Sequence, residues 1–294
     1  MFFLNARTLF SGGGVGPLKV IDETGAFHTA TEFASAIQGR DVLFITHGFN
    51  VNQQAGIACL SGWANLLQLG NVVVIGMLWP GDSSWAHGLD YPVEGNDAMA
   101  SADAISDFLN CNSAGAFSLS FASHSLGARV VLEIIQNLNR RAHRLLLMAG
   151  AVDNTCLNDE FQVATANVDS ISILASKSDE ILKWLFPAGN FLGGLFSHGS
   201  PYVHMALGRE GPAAPYPDPN NVITGWEIPE AWRFNHGHYL PSTPVPALFP
   251  LPVDVPSGNP APPATNTPVA LTASSDLWKA AWSASFESTR WPLA

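Results

Sequence analysis

Apolar residues in this chain fall into short blocks, and from Asp41 onward those blocks alternate with stretches of helical period. Val42 to Thr46 is one apolar run, and Gln53 to Leu69 reads as a helix behind it. Val72 to Leu78 is a second run, followed by a helix from Asn96 to Leu109 that opens with acidic and polar residues. A strand-like run then leads from Phe117 into Ser125, with a helical run from Ala128 to Leu138 at once behind it. Leu145 to Ala149, Ser170 to Ala175 and Val222 to Ile228 read as further strands, with a helix from about Asp179 to Leu185 before the last. Short β-branched or Leu-rich runs separated by helices predict an α/β fold, a mostly parallel central sheet with helices on both faces.

The ends of the chain read differently. Phe2 to Leu9 is a strand candidate, and Leu18 to Ile21 with Ala26 to Thr29 suggests a hairpin about Glu23-Thr24-Gly25. The cluster Gly12-Gly13-Gly14-Val15-Gly16 lacks the Lys-Ser/Thr of a phosphate loop and any helix after it, so it reads as a flexible loop. Gly189 to Pro219 is Gly- and Pro-rich with little period, the character of a lid over a binding site. Residues 1–240 are therefore expected to form a catalytic body, and 241–294 a proline-rich extension. That extension closes in a short helix capped by Ser274 or Ser275, with Trp278, Trp282 and Phe286 on one face. Such a stripe either folds back on the body or docks a second subunit in a homo-oligomer.

Composition narrows the partners. The 294 residues are 47% hydrophobic and 13% charged, with a formal net charge of −11, which argues against nucleic acid or anionic membrane. Cys59, Cys111 and Cys156 are too few and too spread for a disulfide framework or a zinc knuckle. The first two fall in predicted helices, where cysteine acts as a small buried apolar residue. The nine His are scattered apart from His236 and His238, so neither metal nor organic cofactor is expected. No apolar run reaches the length of a membrane span, and the N-terminus lacks a signal-peptide pattern, which makes cytoplasmic location the default.

The chemistry centres on Ser123-His124-Ser125-Leu126-Gly127. A nucleophilic serine on a tight strand-to-helix turn needs small residues two before and two after it, and Ser125 has both. Ser123 and Ser120 lack that context. The N–H of Leu126, at the start of the following helix, is one oxyanion donor in this reading. Thr46-His47-Gly48-Phe49-Asn50 ends an earlier strand, so the N–H of Phe49 is the second donor, with Gly48 next. His47 fits the loop's own hydrogen bonding better than a catalytic base. Trp79 and Pro80 end a strand on the same edge, where Trp79 either walls a pocket or seals the core. Phe49, Leu126 and the segment Leu192 to Phe196 suggest an apolar pocket, with Gly48, Trp79 and Leu192 meeting substrate. No basic residues converge there, which disfavours phosphorylated substrates.

These motifs resemble those of the bacterial α/β-hydrolase group long filed as a domain of unknown function. The matching pieces are His47 to Asn50, Trp79-Pro80, Ser123 to Gly127, Ser176-Lys177-Ser178-Asp179, Leu207-Gly208-Arg209 and His236, over approximately residues 40 to 240. The commoner elbow begins with glycine where this one has Ser123, which narrows the approach on that side. The resemblance implies the chain order serine, acid, histidine. It puts Asp179 in the acid's place, with Asp153 after the preceding strand as its rival, and either also fits a helix N-cap. It puts His236 in the base's place, with His238 as the alternative. His124 is expected to point away from the mouth. The implied activity is serine hydrolysis of carboxylic esters of short to medium acyl chain through an acyl-enzyme. Lipase, amidase, thioesterase or acyltransferase action, or a non-catalytic binding role, are the alternatives.

Overall fold

Val42, Leu43, Phe44 and Ile45 have no exposed surface. A strand with no polar face must be covered on both sides, which places it inside a sheet with helices above and below. In the computed structural model it is the fifth of nine strands formed by the described residues, which are 1–67, 72–82, 91–184, 205–213, 222–228, 230 and 233–239. In chain order the strands are β1 (Phe2–Arg7), β2 (Val15–Asp22), β3 (Phe27–His28), β4 (Asp41–Thr46), β5 (Val73–Leu78), β6 (Ser118–His124), β7 (Ala142–Met148), β8 (Val168–Ala175) and β9 (Ile223–Glu227). They line up as β3-β2-β1-β5-β4-β6-β7-β8-β9. Every pairing from β1 to β9 is parallel, and only β2 and β3 run against their neighbours.

The helices are α1 (Ala30–Ile37), α2 (Gln53–Leu67), α3 (Tyr91–Asn112), α4 (Gly127–Asn137), α5 (Gln162–Ala166), α6 (residues 180–184) and α7 (Leu207–Glu210). Phe33 of α1 meets Phe108 of α3 edge-on, with ring centroids 5.1 Å apart. α3 also packs on α4, and α4 on α5, so these four helices share a face. α2 carries the crossover from β4 back to β5, in the opposite direction. Because such crossovers are right-handed, it falls on the other face. The mostly parallel sheet covered on both sides is therefore the fold expected of this pattern.

Local differences from the sequence reading have identifiable causes. β1 stops at Arg7, whose side chain turns inward and is almost fully buried. The glycine cluster is shorter as a loop than expected, because Val15 pairs with Arg7 and both Val15 and Gly16 belong to β2. Gly12 is not free either; its N–H donates to Asp82 Oδ2 at 3.1 Å. Cys59 is buried as expected, but Cys111 is exposed near the end of α3. The extension 241–294 with its aromatic stripe, and the expected lid apart from 205–213, lie outside the described residues.

α1 has no counterpart in the apolar pattern, and its start is a capping box. Thr29 Oγ1 accepts the N–H of Glu32 at 3.2 Å, while Glu32 Oε2 accepts the N–H of Thr29 at 2.7 Å. Thr29→Ala is expected to destabilise the protein by about 1 kcal/mol. Chemical denaturation checks this, and an unchanged midpoint would show that the cap contributes nothing.

Candidate active site

Parallel strands end together, so the loops that follow β4, β5, β6, β7 and β8 gather at one edge of the sheet. Between β6 and α4, Ser125 adopts φ +56°, the left-handed region that a non-glycine residue enters only when its surroundings require it. Backbone bonds on both sides impose it. The N–H of Ser125 donates to Met148 O at 3.0 Å, and its carbonyl accepts from Ala128 N and Ala151 N, each at 3.1 Å. The turn is tight enough that a Cβ on Gly127 would lie 2.4 Å from His47 O. Ser123 is fully buried, and its hydroxyl has no partner among the described residues.

Two side chains line up behind this serine. His236 Nε2 lies 2.8 Å from Ser125 Oγ, and His236 Nδ1 lies 2.7 Å from Asp179 Oδ2. A carboxylate can only accept, so the proton sits on Nδ1 and leaves Nε2 bare to accept from the Ser125 hydroxyl. Asp179 has no exposed surface, and its other oxygen, Oδ1, accepts the N–H of Leu182 at 2.9 Å. The carboxylate thus caps α6 with one oxygen and holds the imidazole with the other. The serine of Ser-x-x-Asp reaches the segment that carries His236. Ser176 Oγ donates to Phe234 O at 2.6 Å, pinning the acid turn to the segment that carries His236.

The rivals sit elsewhere. His238 Nδ1 accepts the N–H of Asn235 at 3.0 Å, and its ring packs edge-on against Phe234. Asp153 is bridged through its backbone to Ala206, while Asp179 meets the histidine. Glu180 faces Lys183 and Trp184. His124 does not point away. Its Nε2 lies 2.8 Å from the carbonyl of His236, and the two rings are 4.8 Å apart.

The loop after β4 comes close to the serine. A Cβ on Gly48 would stand 2.7 Å from Ser125 Cβ, so only glycine fits this approach. His47 Nδ1 bonds the carbonyl of Gly48 at 2.9 Å, and Asn50, at φ +57°, donates its N–H to Gly81 O. Burial pushes the His47 imidazole down to about 4 and that of His124 down to about 3, so both are neutral well above those values. Among the described residues, nothing accepts the N–H of Phe49 or of Leu126. Trp79 is fully buried beneath this loop, stacked on His47 at 5.7 Å, with its Nε1 donating to His47 O at 3.0 Å. Of the two roles left open for Trp79, these contacts describe the sealing one. Leu192 lies outside the described residues.

Arg7 is the participant the sequence did not single out. Its buried guanidinium donates to Val51 O at 3.0 Å, Trp79 O at 2.8 Å and Leu9 O at 3.2 Å, and it pairs with Asp82. It thereby ties the end of β1 to both loops that support Gly48. A charged residue at the end of a strand looks like a solvated terminus, and no motif distinguishes it. Among the described residues, no group of three or more His, Cys, Asp or Glu could hold a metal ion, and no helix is long and apolar enough to cross a membrane.

The fold is that of an α/β hydrolase. The chain belongs to the family described as alpha/beta hydrolase of unknown function (DUF900), whose model matches residues 25–208. The match contains the loop after β4, the elbow and the acid turn, and stops short of His236. No curated protein matches the chain. Similar solved structures include an inhibited esterase B from Lactobacillus rhamnosis, at 11% identity over 68% of this chain and 70% of that one with a TM-score of 0.36. An esterase from Pyrobaculum calidifontis aligns at 13% identity over 69% and 70%, with a TM-score of 0.35. Esterase 2 of Thermogutta terrifontis aligns at 8% identity over 69% and 76%, with a TM-score of 0.35.

The buried polar groups set the response of the fold to substitution and to acid. Arg7→Leu is expected to destabilise the protein by about 3–5 kcal/mol, because it strands the Asp82 carboxylate, and adding Asp82→Leu is expected to recover most of that loss. Denaturation of the two variants checks this, and equal losses would dissolve the pairing argument. His47 and His124 titrate below the ordinary 6.5 when folded, so the unfolded chain takes up protons first as pH falls. Stability is therefore complete above about pH 6.5 and declines as pH drops towards 4. Melting curves between pH 7 and 4.5 are expected to show proton uptake on unfolding approaching about two; a flat profile contradicts it.

Proposed function

We propose that this protein is a serine hydrolase that cleaves carboxylic esters of short to medium acyl chain through an acyl-enzyme. The observation that carries the reading is the unbroken relay from Asp179 Oδ2 through His236 to Ser125 Oγ, with contacts of 2.7 and 2.8 Å, at a serine held in a left-handed turn. Membership of an α/β-hydrolase family supports hydrolytic chemistry in general; the ester and the roles below are our inference.

In this mechanism Ser125 Oγ attacks the ester carbonyl as His236 Nε2 takes its proton. The carbonyl π electrons move to oxygen, and Asp179 steadies the imidazolium that results. When the tetrahedral intermediate collapses, the carbon–oxygen bond to the alcohol breaks and His236 returns the proton to that oxygen. Water then attacks the acyl carbon with the same base, releasing the acid and restoring the Ser125 hydroxyl.

The oxyanion donors in this reading are the N–H groups of Leu126 and Phe49. Peptide geometry supports the second. The carbonyl of Gly48 is drawn inward to His47 Nδ1. In a planar trans peptide the N–H points opposite to the C=O, so the N–H of Phe49 is turned outward, towards the serine. Gly48 lines the approach. The guanidinium of Arg7, fully engaged beneath the loop, adds no free cation to the site, which favours a neutral acyl group over a phosphorylated one.

A fluorophosphonate probe is expected to label the wild-type protein and not Ser125→Ala. On an activated short-chain ester, Ser125→Ala and His236→Ala are expected to lose on the order of 10⁴-fold or more in kcat, and Asp179→Ala about 10³–10⁴-fold, while His238→Ala keeps most of its turnover. Labelling of Ser125→Ala, or loss confined to His238→Ala, would overturn the assignment.

A further inference from the structure

His236 lies in a short 3-10 turn, His236–Tyr239, with no strand or long helix to fix it. Its backbone is nevertheless held on both sides by side chains. The N–H of His236 donates to Asn235 Oδ1 at 2.8 Å. The same oxygen accepts the N–H of Glu180 at 3.2 Å, at the first residue of α6, directly after Asp179. Two N–H donors converge on one atom, so that atom is the amide oxygen rather than the nitrogen. On the other side, the carbonyl of His236 lies 2.8 Å from Nε2 of His124, the residue that precedes Ser125. A carbonyl only accepts, so Nε2 of a neutral His124 carries the proton it donates.

We propose that Asn235 and His124 are positioning residues that hold the base by its own peptide groups, Asn235 tying it to the acid's helix and His124 to the nucleophile's elbow. The proposal rests on the hydrolase reading above for its consequence, though not for its geometry. The side chain of His236 must span 2.7 Å to one partner and 2.8 Å to the other, and an irregular segment supplies no lattice of backbone bonds to keep it there. Anchoring the N–H to the acid's helix and the C=O to the elbow makes the two distances follow from a single backbone position. Asn235 is the more informative member, because one oxygen serves both the acid's helix and the base. His124 contributes in a second way, since its ring packs against that of His236 and limits its rotation.

The test compares the full-length wild type with Asn235→Ala, Asn235→Asp and His124→Phe. The aspartate keeps an acceptor oxygen where the amide had one, and the phenylalanine keeps a ring while removing the donor. The first readout is the strongly downfield proton resonance of a His Nδ1–H bound to a carboxylate, assigned by its absence in His236→Gln. The second is kcat and KM on an activated ester, with melting temperature measured alongside. Asn235→Ala is expected to lose the resonance and on the order of 10²-fold in kcat with KM little changed, as a displaced catalytic group does. Asn235→Asp is expected to restore both, and His124→Phe to lower kcat about tenfold with a retained fold. If the resonance and kcat survive in Asn235→Ala, or if Asn235→Asp fails as badly as alanine with an unchanged melting temperature, the positioning role is refuted. If the wild type hydrolyses no ester yet its resonance depends on Asn235, the clamp stands and the hydrolase reading falls. Should Asn235→Ala not fold, retention of both the resonance and kcat in His124→Phe refutes the grip on the carbonyl side.

Discussion

Ser125 is held at φ +56°, a conformation that costs a residue with a side chain roughly 1–2 kcal/mol and that no local preference of serine would select. It persists because three backbone bonds and two glycine clearances leave no other path for the chain. The N–H of Ser125 is tied to the end of β7, its carbonyl accepts from α4 and from the loop after β7, and Gly48 and Gly127 lie where a side chain would collide. The order of elements in the sheet follows the same demand. β6 runs between β4 and β7, so the elbow is flanked on one side by the loop that brings Gly48 and on the other by the backbone that receives its hydrogen bond.

The two sides of the site are built from different materials. Beneath Gly48, buried polar groups do the holding: Arg7 gathers carbonyls from the loops after β1, β4 and β5, and His47 and Trp79 stack and bond to one another. A buried guanidinium is costly unless its donors are met, and here they are met by backbone oxygens and by Asp82. That arrangement gives rigidity to a loop that, in the proposed mechanism, must present an N–H without moving. On the far side, the proposed base lies in a short turn beside Phe234 and Tyr239, two buried aromatics that meet edge-on. Ser176 and His124 reach its carbonyls from the turn before Asp179 and from the elbow, while its own Asn235 accepts the N–H of Glu180 at the start of α6. The first side is held by a buried guanidinium and a stacked ring pair, the second by two buried aromatics and these few directed bonds.

Much of this is legible in the chain because it depends on local pattern. The alternation of apolar runs and helical stretches follows from the burial of parallel strands on both faces, and the bend at Ser125 follows from residue size. Asp179 and His236 are reached through resemblance, since nothing local to either residue marks it. Their meeting depends on β8 and the last described turn ending side by side. What escapes the pattern is carried by tertiary contact. Arg7 reads as an ordinary charged strand end, and its inward turn depends on carbonyls at positions 51 and 79 that are distant in sequence. Asn235 draws no reading from the sequence, and His124 is expected to point away from the mouth, because the groups they bond lie 55 and 112 positions away along the chain. α1 escapes for a different reason: its signal is the pairing of Thr29 with Glu32, a cap that an apolar-run reading does not weigh.

The stretch matched by the family model ends at residue 208, before the proposed base His236, and the geometry explains how such a division can still leave a coherent site. Ser125 and Asp179 are fixed by elements inside the matched region, and the loop at Gly48 by His47 and Trp79 within it and by Arg7 outside it. Ser125 Oγ, Asp179 Oδ2 and Nε2 of His124 all converge on the place that His236 takes. An imidazole that enters with its Nδ1 towards the carboxylate and its Nε2 towards the hydroxyl satisfies two of these at once, and its own carbonyl satisfies the third. The requirement falls on the backbone position of that histidine far more than on the residues around it. Ser176 and Asn235 meet it from the N-terminal side of the turn, by drawing in the carbonyl of Phe234 and the N–H of His236, and His124 meets it from the other side, at the carbonyl of His236. The base can therefore be supplied by a segment with little regular structure, so long as these few bonds decide where its backbone lies.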